Sequence, residues 1–231
     1  MHNIPNKKQR PHPSLVLILF LLAGMAQPLE AQFKSIGLRG GVSKILGENT
    51  EEGAFPKGMD WELNYAHRLF DLVRAVGKVG YQREVTRRNY PSGIAGAPAT
   101  NFVGTSSCFS AGVGIRVYLN QNIHEFNPFP GQFLPYLGID GGVLYNQTDA
   151  PATSLQNLPQ DYNFVESGFV PFWQGEIGSQ VVLNQFLRAG VYMVLRDTPS
   201  DILDGIEGTT DAGDWHLRGG LELVYFFNEG K

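Results

Sequence analysis

Eight stretches of this chain alternate apolar and polar residues with a period of two, the pattern of strands whose two faces meet different surroundings. The clearest is the last, Trp215 to Phe227. One face carries Trp215, Leu217, Gly219, Leu221, Leu223, Tyr225 and Phe227; the other carries His216, Arg218, Gly220, Glu222, Val224 and Phe226. The same alternation predicts strands over Phe33–Ser43, Met59–His67, Val73–Val85, Ser107–Leu119, Phe133–Asn146, Val170–Leu183 and Phe186–Arg196. In a soluble sandwich the apolar face would meet a core and the charges water. In a membrane barrel the apolar face would meet lipid and the charges the lumen. Each run has about the 9–11 residues that a tilted strand needs to cross a bilayer, or slightly more.

The connections favour the second arrangement. Lys44–Gly58, Thr86–Ser106, Gln147–Phe169 and Asp197–Asp214 are long, whereas Arg68–Leu72 and Asn184–Gln185 are short. Asn120–Gln132 is intermediate and contains Pro128 and Pro130. Long and short connections therefore alternate, as in bacterial outer-membrane barrels with short periplasmic turns and long external loops, and both termini fall on the short-turn side. The expected fold is an all-β, closed, antiparallel, eight-stranded up-and-down transmembrane barrel.

The polar faces sharpen that expectation. They carry Arg39, Arg74, Lys78, Arg116, Arg188, Arg196 and Arg218 against Asp60, Glu62, Glu84, Asp140, Glu176 and Glu222. An eight-stranded barrel has an interior just filled by side chains, and buried charges must be paired or hydrogen-bonded. The near balance predicts a salt-bridged plug rather than an open pore. Gly37, Gly80, Gly112, Gly114, Gly138, Gly142, Gly178, Gly190 and Gly220 share that inward face and would make room for the long charged side chains.

The N-terminus adds a destination. Lys7, Lys8 and Arg10 precede the apolar run Ser14–Met25, with Ala26 and Ala31 as candidate cleavage points. Residues 1–31 read as a secretory signal peptide and 32–231 as the barrel domain. Removing the leader's three basic and one acidic residues from 18 and 22 leaves 15 and 21, a formal charge of −6. That argues against nucleic acid as a partner, which needs a basic footprint. Cys108 is the single cysteine, so no intrachain disulfide forms.

Several strings resemble those of the eight-stranded outer-membrane β-barrel proteins of Bacteroidota, and most of all the PorG-like subgroup of the type IX secretion and gliding system. They are IGLRGGVS at Ile36–Ser43, LPYLGIDGGVLYN at Leu134–Asn146, and DILDG at Asp201–Gly205 followed by DWHLRGGLELVYFF at Asp214–Phe227. The resemblance implies a non-enzymatic, porin-like barrel in the outer membrane. Its partners would be outer-membrane lipid and lipopolysaccharide and proteins of a secretion or gliding complex. It implies no cofactor.

Candidate chemistry is sparse, and no catalytic, cofactor-binding or metal-binding residue is assigned. Asp197, Asp201, Asp204, Glu207, Asp211 and Asp214 make the seventh connection acidic. Their spacing does not fit an EF-hand loop, and a solvated loop is favoured over a Ca²⁺ site. A lipid-modifying barrel enzyme would need a nucleophile and base, and His216 with Ser167 or Ser200 is the available set. No Gly-x-Ser-x-Gly elbow is present, and a rim histidine bonded to a neighbour is the favoured reading. Cys108 is expected as a packed small residue on the inward side. Trp61, Tyr65, Tyr81, Trp173, Trp215, Tyr225 and Phe227 are candidate interfacial belts. A soluble exported lipocalin-like barrel is the remaining alternative; its lumen would have to be apolar, against the charges above.

Overall fold

The computed structural model describes residues 34–46, 58–90, 100–119, 129–156, 163–199, 206–207 and 214–227. They form strands β1 (Lys34–Leu46), β2 (Gly58–Arg68), β3 (Val73–Tyr90), β4 (Thr100–Tyr118), β5 (Phe133–Asp149), β6 (Asn163–Phe164), β7 (Ser167–Val182), β8 (Leu187–Thr198), β9 (Ile206–Glu207) and β10 (Asp214–Phe227), with a short helix α1 (Ala152–Gln156). Eight strands close a barrel in the order β1-β10-β8-β7-β5-β4-β3-β2, and every neighbouring pair is antiparallel. All eight predicted strands are present, and the chain winds up and down with each strand beside its predecessor. The expected signal peptide lies outside the described residues.

Register fixes the geometry. From Ile36 the ladder passes to Tyr65, Gly77, Val113, Gly141, Trp173, Asp197 and Trp215, and returns to β1 at Leu46. One circuit thus climbs ten residues, from Ile36 to Leu46. With about 3.3 Å per residue and 4.8 Å between strands, that shear tilts eight strands by about 40°. Each residue then rises roughly 2.5 Å along the barrel axis. Trp215 and Phe227, twelve positions apart on β10, are separated by about 30 Å of axial height, the thickness of a bilayer's hydrocarbon core.

All four long predicted connections are shorter than the alternation suggested. β3 runs on to Tyr90 and β4 begins at Thr100, so much of Thr86–Ser106 is paired strand. Their polar, Gly- and Ser-containing sequence hid the pairing. β2 leaves β3 at Gly58↔Glu84 and β5 leaves β4 at Asp149↔Thr105. The β3–β4 ribbon therefore continues about 15 Å past its neighbours, six residues at the rise above. At its inner side Phe102 is buried against Ala150, Leu155 and Phe164. Within the fifth and seventh predicted connections, β6 and β9 pair through Asn163↔Glu207 and Phe164↔Ile206. The long-loop end is thus partly built, not merely looped.

The short connections have local causes. Asn184 Oδ1 accepts from the backbone N–H groups of Phe186 and Leu187 at 2.9 and 3.0 Å, closing the β7–β8 turn. Before β5, Phe129-Pro130-Gly131-Gln132 is a β-turn with Gln132 N–H bonded to Phe129 O at 3.2 Å. Gly131 has φ = 87°, the positive value that glycine adopts without strain, and Pro130 sets the residue before it.

Candidate functional site: the ion-paired lumen

All thirteen charged residues of the predicted polar faces are buried. Arg39, 0% exposed, is the hub. On either side its register partners are Glu222 of β10 and Glu62 of β2. Its Nε lies 3.0 Å from Glu222 Oε2 and its Nη1 2.9 Å from Glu62 Oε1. Across the lumen the guanidinium grips both oxygens of Glu176, at 2.6 and 2.8 Å. Nη2 also donates to Tyr136 Oη at 2.9 Å, and that hydroxyl donates to Glu222 Oε1 at 3.0 Å. Glu176 further receives Lys78 at 2.6 Å and Arg116 at 3.0 Å. Lys78 bridges on to Asp140 at 2.6 Å, and Arg218 reaches Glu62 at 3.3 Å and Asp60 at 3.7 Å. These carboxylates and cations form one connected network across the middle of the barrel. Desolvating so many charges is costly, and only this density of pairing and hydrogen bonding offsets it.

Glycine placement makes the network fit. In register, Glu62 faces Gly80, Glu176 faces Gly138 and Glu222 faces Gly190. Likewise Lys78 faces Gly112, and Asp140 faces Gly114. Small beside large is how a narrow barrel is filled. Gly178 is the tightest case for the hub, because a Cβ there would run into the Tyr136 ring and hydroxyl. Gly178→Ala should therefore displace Tyr136 from Arg39 and Glu222. It should lower stability by about 1–3 kcal/mol in denaturant unfolding in detergent. An unchanged unfolding midpoint would show that the ring has room to move.

Pure ion pairing, as expected from the sequence, is only part of the plug. Arginines above and below the hub lie over aromatic rings. Arg188 sits 3.9 Å from the Phe226 centroid, Arg196 4.3 Å from Phe172, and Arg74 5.2 Å from both Tyr118 and Phe226. Glu84 accepts from the Ile45 backbone N–H, Ser43 and Gln82 rather than from a cation. Ring faces thus stand in for carboxylates beside these arginines, and neutral donors stand in for a cation at Glu84.

The exterior is the inverse of the lumen. Outward positions such as Leu38, Trp61, Val113, Ile139, Trp173, Val191, Leu221 and Leu223 are exposed. Of the predicted belt residues, Trp61, Tyr65, Trp173, Trp215, Tyr225 and Phe227 are exposed, and Tyr81 is half-buried. Register adds members that the sequence did not single out. Trp61, Tyr81, Phe109, Tyr145 and Phe169 follow one another across β2, β3, β4, β5 and β7. Two of these contacts are close, Tyr81–Phe109 and Tyr145–Phe169, each at 4.9 Å. Phe186 stacks on Tyr225 at the turn end. Only the register could have found such a row, because its members are scattered through the sequence.

The remaining candidates resolve individually. His216 is fully buried, and its Nδ1 is bonded to Gln82 Nε2 at 2.8 Å. It is a lumen residue bonded to a neighbour, with neither nitrogen at the lipid face, and Ser167 is exposed at the start of β7. Cys108 is buried, its Sγ 3.1 Å from Asn146 Oδ1. Asp201, Asp204 and Asp211 of the acidic connection lie outside the described residues. Among the described residues no three His, Cys, Asp or Glu side chains are grouped to hold a metal. The filled, charged interior does not suit the lipophile cavity of a lipocalin-like barrel.

No family model and no curated protein matches the chain. Among solved structures it is similar to Neisserial surface protein A (TM-score 0.47, 10% identity, covering 85% of this chain and 96% of the other). It is also similar to the outer membrane protein OprG of Pseudomonas aeruginosa (TM-score 0.47, 11% identity, 86% and 96% covered). A third is Ail, the attachment invasion locus protein of Yersinia pestis (TM-score 0.42, 12% identity, 86% and 100% covered). Likenesses at this level carry no weight for function. It is the closed ladder itself, eight antiparallel strands with charge inside and hydrocarbon outside, that makes the chain an eight-stranded β-barrel of transmembrane type.

Proposed function

We propose that this protein is a non-enzymatic outer-membrane barrel that serves as an anchored scaffold for interactions, not as a pore. The observation that carries the reading is its inverted polarity: thirteen charged side chains are sealed inside while the large apolar ones face out. In water that exterior would be a vast exposed apolar patch; in a bilayer it is solvated by lipid. The connected network through Arg39, Glu176 and Lys78 fills the lumen where a channel would run. On this reading residues 1–31 are removed on export, both termini are periplasmic, and the β3–β4 ribbon with its Phe102 cluster projects outside. The wall would contact outer-membrane lipid and lipopolysaccharide.

The narrower reading is an accessory role in a type IX secretion or gliding complex. It is supported by the IGLRGGVS, LPYLGIDGGVLYN and DILDG…DWHLRGGLELVYFF strings. Two measurements test the two levels. The barrel should fractionate with outer membranes and migrate faster unheated than boiled in detergent gels; recovery in the soluble periplasm would overturn the membrane reading. A mild-detergent pull-down from outer membranes should retain secretion or gliding components. Isolation of the barrel alone would remove the accessory role and leave the membrane reading standing.

A further inference from the structure

On the outside of the barrel a row of polar side chains runs directly above the aromatic row. Arg83, Ser107, Gln147 and Ser167 pair in register across β3, β4, β5 and β7. Two residues nearer the turn end of the same strands stand Tyr81, Phe109, Tyr145 and Phe169, themselves in register. Both rows face outward. Arg83, Gln147 and Ser167 are exposed, as are Phe109 and Phe169, and Ser107 is half-buried. Among the described residues the side chains of Arg83, Gln147 and Ser167 have no hydrogen-bond or ion-pair partner, whereas Ser107 Oγ accepts from Tyr81 Oη at 3.5 Å.

The height of the row follows from the shear. The ladder from Gly219 of β10 passes through Val42 and Met59 to Arg83. Three strands of an eight-strand circuit that climbs ten residues raise it by just under four, and Trp215 stands four residues above Gly219 on β10. Arg83 is therefore level with Trp215, at the edge of the hydrocarbon layer. From there the row rises about 3 Å per strand, so Ser107, Gln147 and Ser167 stand successively farther into the headgroup region. Its length across the four strands is about 14 Å.

A guanidinium at that depth suits a phosphate, which accepts paired charge-assisted hydrogen bonds from it. The neutral hydroxyls and amide beyond it both donate and accept, which suits sugar hydroxyls, and the rings beneath suit the base of acyl chains. A small headgroup with one phosphate would engage Arg83 and leave the rest of the row unused. Negative charge lies at the other end: Asp149 is exposed two residues above Gln147, and Glu166 precedes Ser167. The phosphate therefore belongs at Arg83. Lys44, outward on β1, has contacts of its own, and the site does not rest on it.

We propose that this row binds one phosphorylated glycolipid of the outer leaflet, of the lipid A class. A phosphate sits on Arg83, the sugars lie along Ser107, Gln147 and Ser167, and acyl chains start on Phe109 and Phe169. The site rests on the outer-membrane reading above and names the lipid and the face. The test titrates the whole barrel in mild detergent with diphosphoryl lipid A, followed by native mass spectrometry. One lipid A should be retained per barrel, with dephosphorylated lipid A and phosphatidylglycerol each binding about tenfold more weakly. Arg83→Gln should lose about tenfold in lipid A affinity while keeping its heat-modifiable migration. Ser107→Ala combined with Gln147→Ala should weaken lipid A binding and leave that of phosphatidylglycerol unchanged. Equal binding of lipid A and phosphatidylglycerol by the wild type, or undiminished lipid A binding by Arg83→Gln, overturns the site. If Arg83→Gln does not fold, the wild-type preference and the double variant decide the matter. Insertion into vesicles is scored separately. A barrel that inserts without preferring lipid A refutes this site alone, and one that does not insert refutes the membrane reading.

Discussion

Arg39→Ala should lower the unfolding free energy of the barrel in detergent by about 4 kcal/mol, the usual cost of removing one partner from a buried ion network. The substitution leaves Glu62, Glu176 and Glu222 facing one another without the guanidinium that touches all three. Adding Glu222→Gln to that variant should recover part of the loss, since one uncompensated charge is removed and the amide still accepts from Tyr136 and Gln180. Unfolding in guanidinium, followed by the fraction that still migrates as the compact form, measures both. A loss below about 1 kcal/mol, no more than a solvent-exposed pair is worth, would mean that the lumen is wet enough for water to serve the carboxylates.

The second large effect is on the outside. Leu221 is 70% exposed and lies on β10 midway between Trp215 and Phe227. If those aromatics mark the two interfaces, Leu221 sits at the bilayer midplane. Leu221→Arg should then cost about 2–4 kcal/mol in lipid vesicles, because an arginine at that depth meets hydrocarbon. The same change at the surface of a water-soluble barrel would be neutral within about 0.5 kcal/mol. Placed at Trp215, near the interface, arginine should cost only about 0–1 kcal/mol. Equal and small penalties at both depths would exclude the transmembrane placement; the gradient between them is its signature.

Much of this was legible in the sequence because a strand's faces alternate strictly. Once Arg39 was assigned inward, Ile36, Leu38 and Val42 had to point outward, and they do. The thirteen buried charges and the glycines among them could be read off in the same way. What could not be read was anything that depends on which strands' residues share a level. That Gly178 gives space to Tyr136, that Arg196 lies over Phe172, and that Phe109 and Tyr145 join the aromatic row all follow from shear, which no local pattern encodes. The extended β3–β4 ribbon was missed for a different reason. The sequences of Thr86–Tyr90 and Thr100–Gly104 lack the apolar alternation by which the other strands announce themselves. His216 is on the expected face near the start of β10, but its bond to Gln82 of β3 is not encoded in any local pattern.

The seam of the barrel gives the hub a kinetic meaning. Arg39 is on the first strand, Glu62 on the second, Glu176 on the sixth and Glu222 on the last of the eight, with Arg39 and Glu222 separated by 183 positions. A chain that has threaded seven strands into lipid still has an open edge, and Arg39 Nε still lacks the carboxylate of Glu222. Both defects vanish together when β10 docks on β1. A partly inserted barrel is therefore poorly stabilised, and insertion should proceed as a single cooperative step limited by that one long-range closure.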